Sequence, residues 1–433
     1  MSNGWKIPVL LSGGGAALLP FPSSIPDLQM RLLASGTRWQ ESARSTPAVT
    51  NGDPVGAWDD ASGNSHHALQ ATSNKRASLR TSFFGKPSIN FRSANTEELV
   101  TAATLNVNQR DFSVFMVAGR LSYTSQEVWV SYDAAWLQVQ TGVLKANTTP
   151  TALKPTCDPS FVGIVGNASG QTVYLNDSSQ TVTALSAGTN ASSAFYVARY
   201  LGGGFNTSID FYEILNYNRA LTAQEVADLK AYAYSNYNIQ TKTKNIVFDG
   251  DSLTFGYSVQ SNRGFVNYPT QLITLLPDAA AWRFVNFGIS GQTFTTMNTN
   301  AAANVDPFYS GSYTKNICVA WGGTNDMTTG GASAADTYDQ AKTYWAARRL
   351  AGWKVIAITM LPNISEPKRT DFNNLVRSDS SLYDALADVE TIPAIGATGA
   401  ASDTTYFAAD GLHMNEVGYA LLAGLVKTAV LSI

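Results

Sequence analysis

Histidine and cysteine are the scarce residues of this 433-residue chain, three and two in number, and their scarcity already narrows its chemistry. Cys157 and Cys318 stand far apart, so a disulfide between them is disfavoured, and they show no metal-ligand spacing. Cys318 lies within the apolar run Asn316-Ile-Cys-Val-Ala-Trp321, where cysteine packs as a small hydrophobe. Charge is sparse too. Asp, Glu, Lys and Arg make up 14% of residues, against roughly 25% in an average soluble domain, and the formal net charge is −3. No cluster of Lys or Arg stands out, which removes the electrostatic footprint of a nucleic-acid-binding surface. No apolar stretch is long enough to span a membrane, and no internal repeat is evident. What is present is a 44% hydrophobic content, ample for globular folding.

At this length two hydrophobic cores are expected rather than one. Residues 1–25 form an apolar, Gly-rich arm: Lys6 is followed by an apolar run to Pro20 that Pro8 and Gly13–Gly15 interrupt. A secretion signal needs that run unbroken, so the segment reads as an ordered or partner-bound arm, with a degraded signal as the alternative.

From 26 to 240 the pattern is one of short strands separated by Gly, Asn, Ser and Pro. They include Phe112–Ala118, Glu127–Ser131, Trp136–Gln140, Phe161–Val165, Thr172–Leu175, Phe195–Ala198 and Ile209–Leu215, with a hairpin turn at Leu175-Asn-Asp-Ser178. Regular strands with turn signals between them predict an all-β sandwich. A helix follows. Thr222 is its N-cap, Glu225 completes a capping box, Leu221 and Val226 form the hydrophobic staple, and the helix should reach about Tyr237.

From 241 to 433 strands alternate with helices, which predicts an α/β domain with a parallel, doubly wound sheet. Strands are expected at 246–249, Phe284–Phe287, 316–321 and Trp353–Met360. Helices are expected near Tyr268–Leu276, Ala334–Leu350, Thr370–Ala387 and Asn415–Leu431. The junction Ile239-Gln-Thr-Lys-Thr-Lys244 has neither Gly nor Pro and reads as a tight connection, not a tether. The first strand ends in Asp249-Gly250-Asp251-Ser252-Leu253, which sets one hydroxyl at the carboxyl edge of the sheet, where open α/β sheets keep their sites.

Three further blocks follow: Asn286-Phe-Gly288-Ile-Ser-Gly291, Gly322-Gly323-Thr324-Asn325-Asp326 and Asp410-Gly411-Leu412-His413. A Ser, a Gly, an Asn and a His in four separated blocks, in this order, resemble the SGNH (GDSL) hydrolase family. The β region is similar, through Trp58-Asp-Asp-Ala-Ser-Gly-Asn-Ser-His-His67 and Ile214–Val226, to the concanavalin A-like (laminin G-type) jelly rolls often attached to secreted enzymes. Sugar binding does not follow from that fold.

Acyl transfer to water needs a nucleophile, a base, an orienter for the base and donors for the oxyanion. Ser252 is the candidate nucleophile. His413 is the sole imidazole after residue 240, and Asp410, three residues earlier, can reach its Nδ1 and leave Nε2 to face Ser252. The resemblance implies oxyanion donors at the Ser252 N–H, the Gly291 N–H and the Asn325 side-chain amide. Gly288 is the rival to Gly291, which the Ser-Gly-Gln pattern favours. Gly323 would permit the loop that turns Asn325 inward, and Asp251 and Asp326 read as turn residues bonding backbone N–H groups. No cofactor and no catalytic metal are indicated. Outside these blocks, His66-His67 reads as a surface turn, Asp59, Asp60 and Asn64 are a weaker calcium candidate, and Trp58, Trp129 and Trp136 are either core or a sugar platform.

Together these features imply a serine esterase working through an acyl-enzyme, and a lectin-like module beside it suggests O-acetyl groups on a polysaccharide. The alternatives are a lipase- or thioesterase-type acyl hydrolase, and a virion receptor-binding or structural protein with auxiliary esterase activity. Low charge and the arm fit an extracellular or virion-associated setting, with the arm holding a homo-oligomer or virion assembly.

Overall fold

The computed structural model describes residues 21–433 apart from 108–110, 122–125, 133–134, 141–142, 183–190, 205, 240, 262–266 and 363–365. Most of the expected arm therefore lies outside the described residues. Its last part packs down: Ile25 is buried, and the Phe21 ring meets Tyr232 edge-on at 5.3 Å.

Alternation builds the sandwich. In the central strand Phe112–Arg120, Val114 and Met116 face one way and Phe115 and Val117 the other. The first pair meets Trp129, Leu137 and Val139 of the opposing antiparallel sheet, forming the inter-sheet core. The second pair lies under the helix Ala223–Tyr237, which buries Val226, Leu229 and Ala233 on that outer face. Thr222 and Glu225 form the expected capping box, a contribution of about 1 kcal/mol. The hairpin at Leu175–Ser178 is present. Trp58 and Trp129 are fully buried between the sheets, so of the two readings they take the core one and not the sugar platform; the Trp136 side chain lies outside the described residues. The Asp60 carboxylate accepts from the N–H groups of Arg31, Ser62 and His66, so it ties a turn together. Both cysteines are buried and free.

The second sheet type is wholly parallel. Five strands stand in the order Trp282–Gly288, Lys244–Gly250, Lys315–Trp321, Lys354–Ile358, Ala385–Ala387, with apolar cores on both faces. The strand nearest the sandwich connection, Lys244–Gly250, sits second, so the chain reverses direction across the sheet beside it. That reversal opens a crevice at the carboxyl ends of the strands. The expected helix over 370–387 is shorter, Lys368–Ser378, because the chain leaves it at Asp379 and returns as the fifth strand. A further helix, Phe294–Asn304, follows the second block. Among the described residues no helix is long and apolar enough to cross a membrane.

The sandwich also closes one edge of the parallel sheet. The Cys157 N–H donates to the Phe284 carbonyl at 2.7 Å, and the Phe284 N–H donates to Asp158 Oδ1 at 3.2 Å. Lys242 from the junction pairs with Asp158 Oδ2 at 3.3 Å, and Phe84 meets Phe284 edge-on. Backbone groups that an edge strand would leave open are thus satisfied by the other half of the chain.

Candidate active site

The strand Lys244–Gly250 delivers its last residues to the crevice, and a one-turn helix, Ser252–Phe255, begins at once. Asp251 caps it by accepting the Leu253 N–H at 2.9 Å. As the first residue of a helix, Ser252 has an N–H with no intrahelical acceptor. The helix is clamped from outside: Asn267 Nδ2 donates to the Phe255 carbonyl at 2.9 Å, and Asn286 Nδ2 to that of Thr254 at 3.2 Å.

His413 comes from the far end of the chain. The segment before the last helix forms a short two-sided ladder, with Ala408 N–H bonded to the His413 carbonyl and Asn415 N–H to that of Tyr406. Asn415 then caps the helix Glu416–Ser432. Held this way, His413 Nε2 lies 2.9 Å from Ser252 Oγ, and Nδ1 lies 2.7 Å from Asp410 Oδ2. The second Asp410 oxygen accepts the N–H groups of Leu412 and His413. Burial alone would raise the Asp410 carboxyl, but these bonds and the facing ring outweigh it and hold it below the ordinary carboxylate range. The exposed ring of Tyr257 lies beside the imidazole, with centroids 5.0 Å apart.

The two middle blocks complete the crevice. A Cβ on Gly288 would sit 2.2 Å from the Phe255 nitrogen, so this glycine lets the strand Trp282–Gly288 pack against the helix Ser252–Phe255. Its N–H is already given to Asn286 Oδ1 at 2.9 Å. Gly291 adopts φ +82°, where Gly is favoured, and among the described residues its N–H is bonded to no acceptor. Gly323 precedes the one-turn helix that carries Asn325, whose Nδ2 donates to the Gln292 carbonyl at 3.0 Å and makes a longer 3.4 Å contact to Asp251 Oδ2. Asp326 works outside its own turn, accepting the Phe294 N–H that starts the helix after the Gly291 block.

Three carboxyls are packed beneath this surface. Burial pushes Asp251 up to about 7, with the Leu253 N–H opposing and Asp326 adding to it. It pushes Asp249 up to about 6 against hydrogen bonds from Tyr344 and Gln292, and it raises Asp326 as well. Among the described residues no cluster of three or more His, Cys, Asp and Glu side chains is placed to hold a metal ion. The sequence reading passed over Tyr257 and the Gln292 side chain. An aromatic two residues beyond the first block's helix and an amide directly after Gly291 were the available signals.

A hydroxyl, an imidazole and a carboxylate thus stand in line at the reversal point of a parallel sheet. Residues 248–421 match the model of the GDSL-like Lipase/Acylhydrolase family. No curated protein matches the sequence. Among solved structures, a member of the lipolytic protein G-D-S-L family from Veillonella parvula is 17% identical, with a TM-score of 0.36, over 44% of this chain and 100% of its own. A GDSL-like lipase from Bacteroides thetaiotaomicron is 20% identical, with a TM-score of 0.34, over 48% and 98%. An acetyl xylan esterase is 18% identical, with a TM-score of 0.32, over 43% and 99%.

Proposed function

We propose that the protein is a serine esterase that hydrolyses carboxylic esters through an acyl-enzyme, acting on O-acetyl groups of a polysaccharide. The observation that carries the reading is the unbroken line Ser252 Oγ–His413 Nε2 and His413 Nδ1–Asp410 Oδ2. Ser252 Oγ attacks the ester carbonyl while Nε2 takes its proton. That proton passes to the departing alcohol oxygen, leaving acetyl-Ser252. Water then attacks the acyl carbonyl, gives a proton to Nε2, and acetate leaves as the proton returns to Ser252. Asp410 holds Nδ1–H and stabilises the imidazolium formed in each half.

The oxyanion is received by the N–H groups of Ser252 and Gly291 and by the Asn325 amide. Asn325 Nδ2 is held by the Gln292 carbonyl, and its other contact, to Asp251, is only a long one, so its second hydrogen can be shared with a substrate oxygen. A polymeric substrate is supported by the position of the sandwich. Its turn Ser93–Asn95 lies against Ser258–Ser261, the turn that follows the nucleophile helix, and Ser258 Oγ is bonded to the Met414 carbonyl next to His413. A chain bound over Ser252 would therefore run past the sandwich.

The test is acetate release from a panel of acetylated glycans, set beside p-nitrophenyl acetate and palmitate. Ser252→Ala should abolish release with an unchanged melting temperature. Variant activity above about one percent of wild type would overturn the covalent mechanism, and preference for palmitate would replace the acetyl reading with a lipase.

A further inference from the structure

Gln292 makes four hydrogen bonds from one buried position. Its Nε2 donates to Asp249 Oδ1 at 3.0 Å and to the Gly250 carbonyl at 3.1 Å. Its own N–H donates to the Ile289 carbonyl at 3.0 Å, closing the turn that contains Gly291. Its carbonyl accepts Asn325 Nδ2 at 3.0 Å. Asp249 is in turn fixed by the Tyr344 hydroxyl at 2.6 Å, and Ile289 N–H reaches back to the Gly250 carbonyl at 2.9 Å. Two of the three proposed oxyanion donors therefore hang on a single residue. The Gly291 N–H is aimed by the turn that Gln292 closes, and the Asn325 amide is aimed by the Gln292 carbonyl.

We infer that Gln292 is a positioning residue that sets both the Gly291 and the Asn325 oxyanion donors by anchoring their shared loop to the buried carboxylate of Asp249. The chemistry is directional. A neutral amide can give hydrogens to a carboxylate and a carbonyl at once. A carboxylate at 292 would face the Asp249 carboxylate with nothing to donate, and the loop would lose its tie to the nucleophile strand. Donors aimed where charge develops act on the transition state more than on bound ester, so misaiming them is expected in turnover. The inference rests on the esterase reading above and adds to it the source of donor alignment.

The test is a double-mutant cycle on the full-length protein with p-nitrophenyl acetate, using Gln292→Ala, Gln292→Glu, Asn325→Ala and the Gln292→Ala/Asn325→Ala double variant. Each single change at 292 should lower kcat by roughly 30- to 100-fold with KM moved less than about threefold, approaching the loss of one donor outright. In the Asn325→Ala background the Gln292→Ala loss should shrink to less than about tenfold, because the two act through a common element. Losses that multiply independently, or that fall on KM, would overturn the inference. Should Gln292→Ala fail to fold, the isosteric Gln292→Glu carries the kinetic test, and full turnover in it would refute the role. Asn325→Ala with wild-type kcat would instead strike at the esterase reading itself.

Discussion

Replacing Asp410 with Asn changes one atom and should disable the base without disturbing its position. Asp410 Oδ1 accepts two backbone N–H groups, from Leu412 and His413, while Oδ2 accepts from His413 Nδ1. An Asn would keep its carbonyl oxygen on the two N–H groups, which places its NH2 against Nδ1. The imidazole must then carry its hydrogen on Nε2, facing Ser252 Oγ as a donor, unable to take the serine proton. In a fully buried triad that inversion costs about 10⁴ in kcat. Here the Asp410 side chain is 44% exposed while His413 is 8% exposed, so water can compete for Nδ1 on the carboxylate side. The expected loss is therefore smaller, roughly 10²- to 10³-fold, or about 3–4 kcal/mol of barrier. Asp410→Ala should be no worse than Asp410→Asn, since water admitted by the truncation can accept from Nδ1–H where an amide cannot. The assay is kcat on p-nitrophenyl acetate, with the melting temperature as a folding control. An Asp410→Asn enzyme within tenfold of wild type, or an Ala variant clearly poorer than the Asn variant, would refute the tautomer argument.

Three other outcomes follow from the same geometry. Asn325→Ala should lower kcat by about 100- to 1,000-fold with little change in KM, the usual loss for one oxyanion donor. Gly288→Ala should drive the strand Trp282–Gly288 off the nucleophile helix, since the new Cβ would meet Phe255 at 2.2 Å; activity should collapse and the melting temperature fall, and a stable, active variant would contradict the packing. Asp251 is held protonated by burial up to about pH 7, whereas an unfolded Asp ionises near 3.9. The folded state thus keeps a proton that the unfolded chain has released, so this stability is full below about pH 4 and is lost as pH rises through 7. Asp251→Asn removes that loss, so its melting temperature relative to wild type should climb from pH 4 to pH 8, and a flat difference would show that the group is already ionised.

Much of the α/β portion could be read in advance because its strands are continuous apolar runs ending in small-residue turns. Ile246–Phe248 and Ile317–Trp321 are buried on both faces, and that is visible locally. The helix Phe294–Asn304 was missed because Thr and Asn fill it, and its start is fixed by Asp326 from another block. The fifth strand is only three residues long and leaves no periodic trace. In the sandwich, local alternation located the strands, but the sheet order joins residues far apart in sequence and no local pattern encodes it. At the site, Ser252, Gly291, Asn325, Asp410 and His413 were legible as motif positions. Gln292 was not, because its weight comes from four partners that only the folded chain assembles.

The bond between Cys157 and Phe284 has a consequence for how the molecule is made. The sandwich precedes Trp282–Gly288 in the chain and so leaves the ribosome before it. Docked on the sandwich, the outermost strand of the parallel sheet is sheltered from other chains. A fragment beginning at residue 241 would lack that shelter and present an unprotected strand to its neighbours.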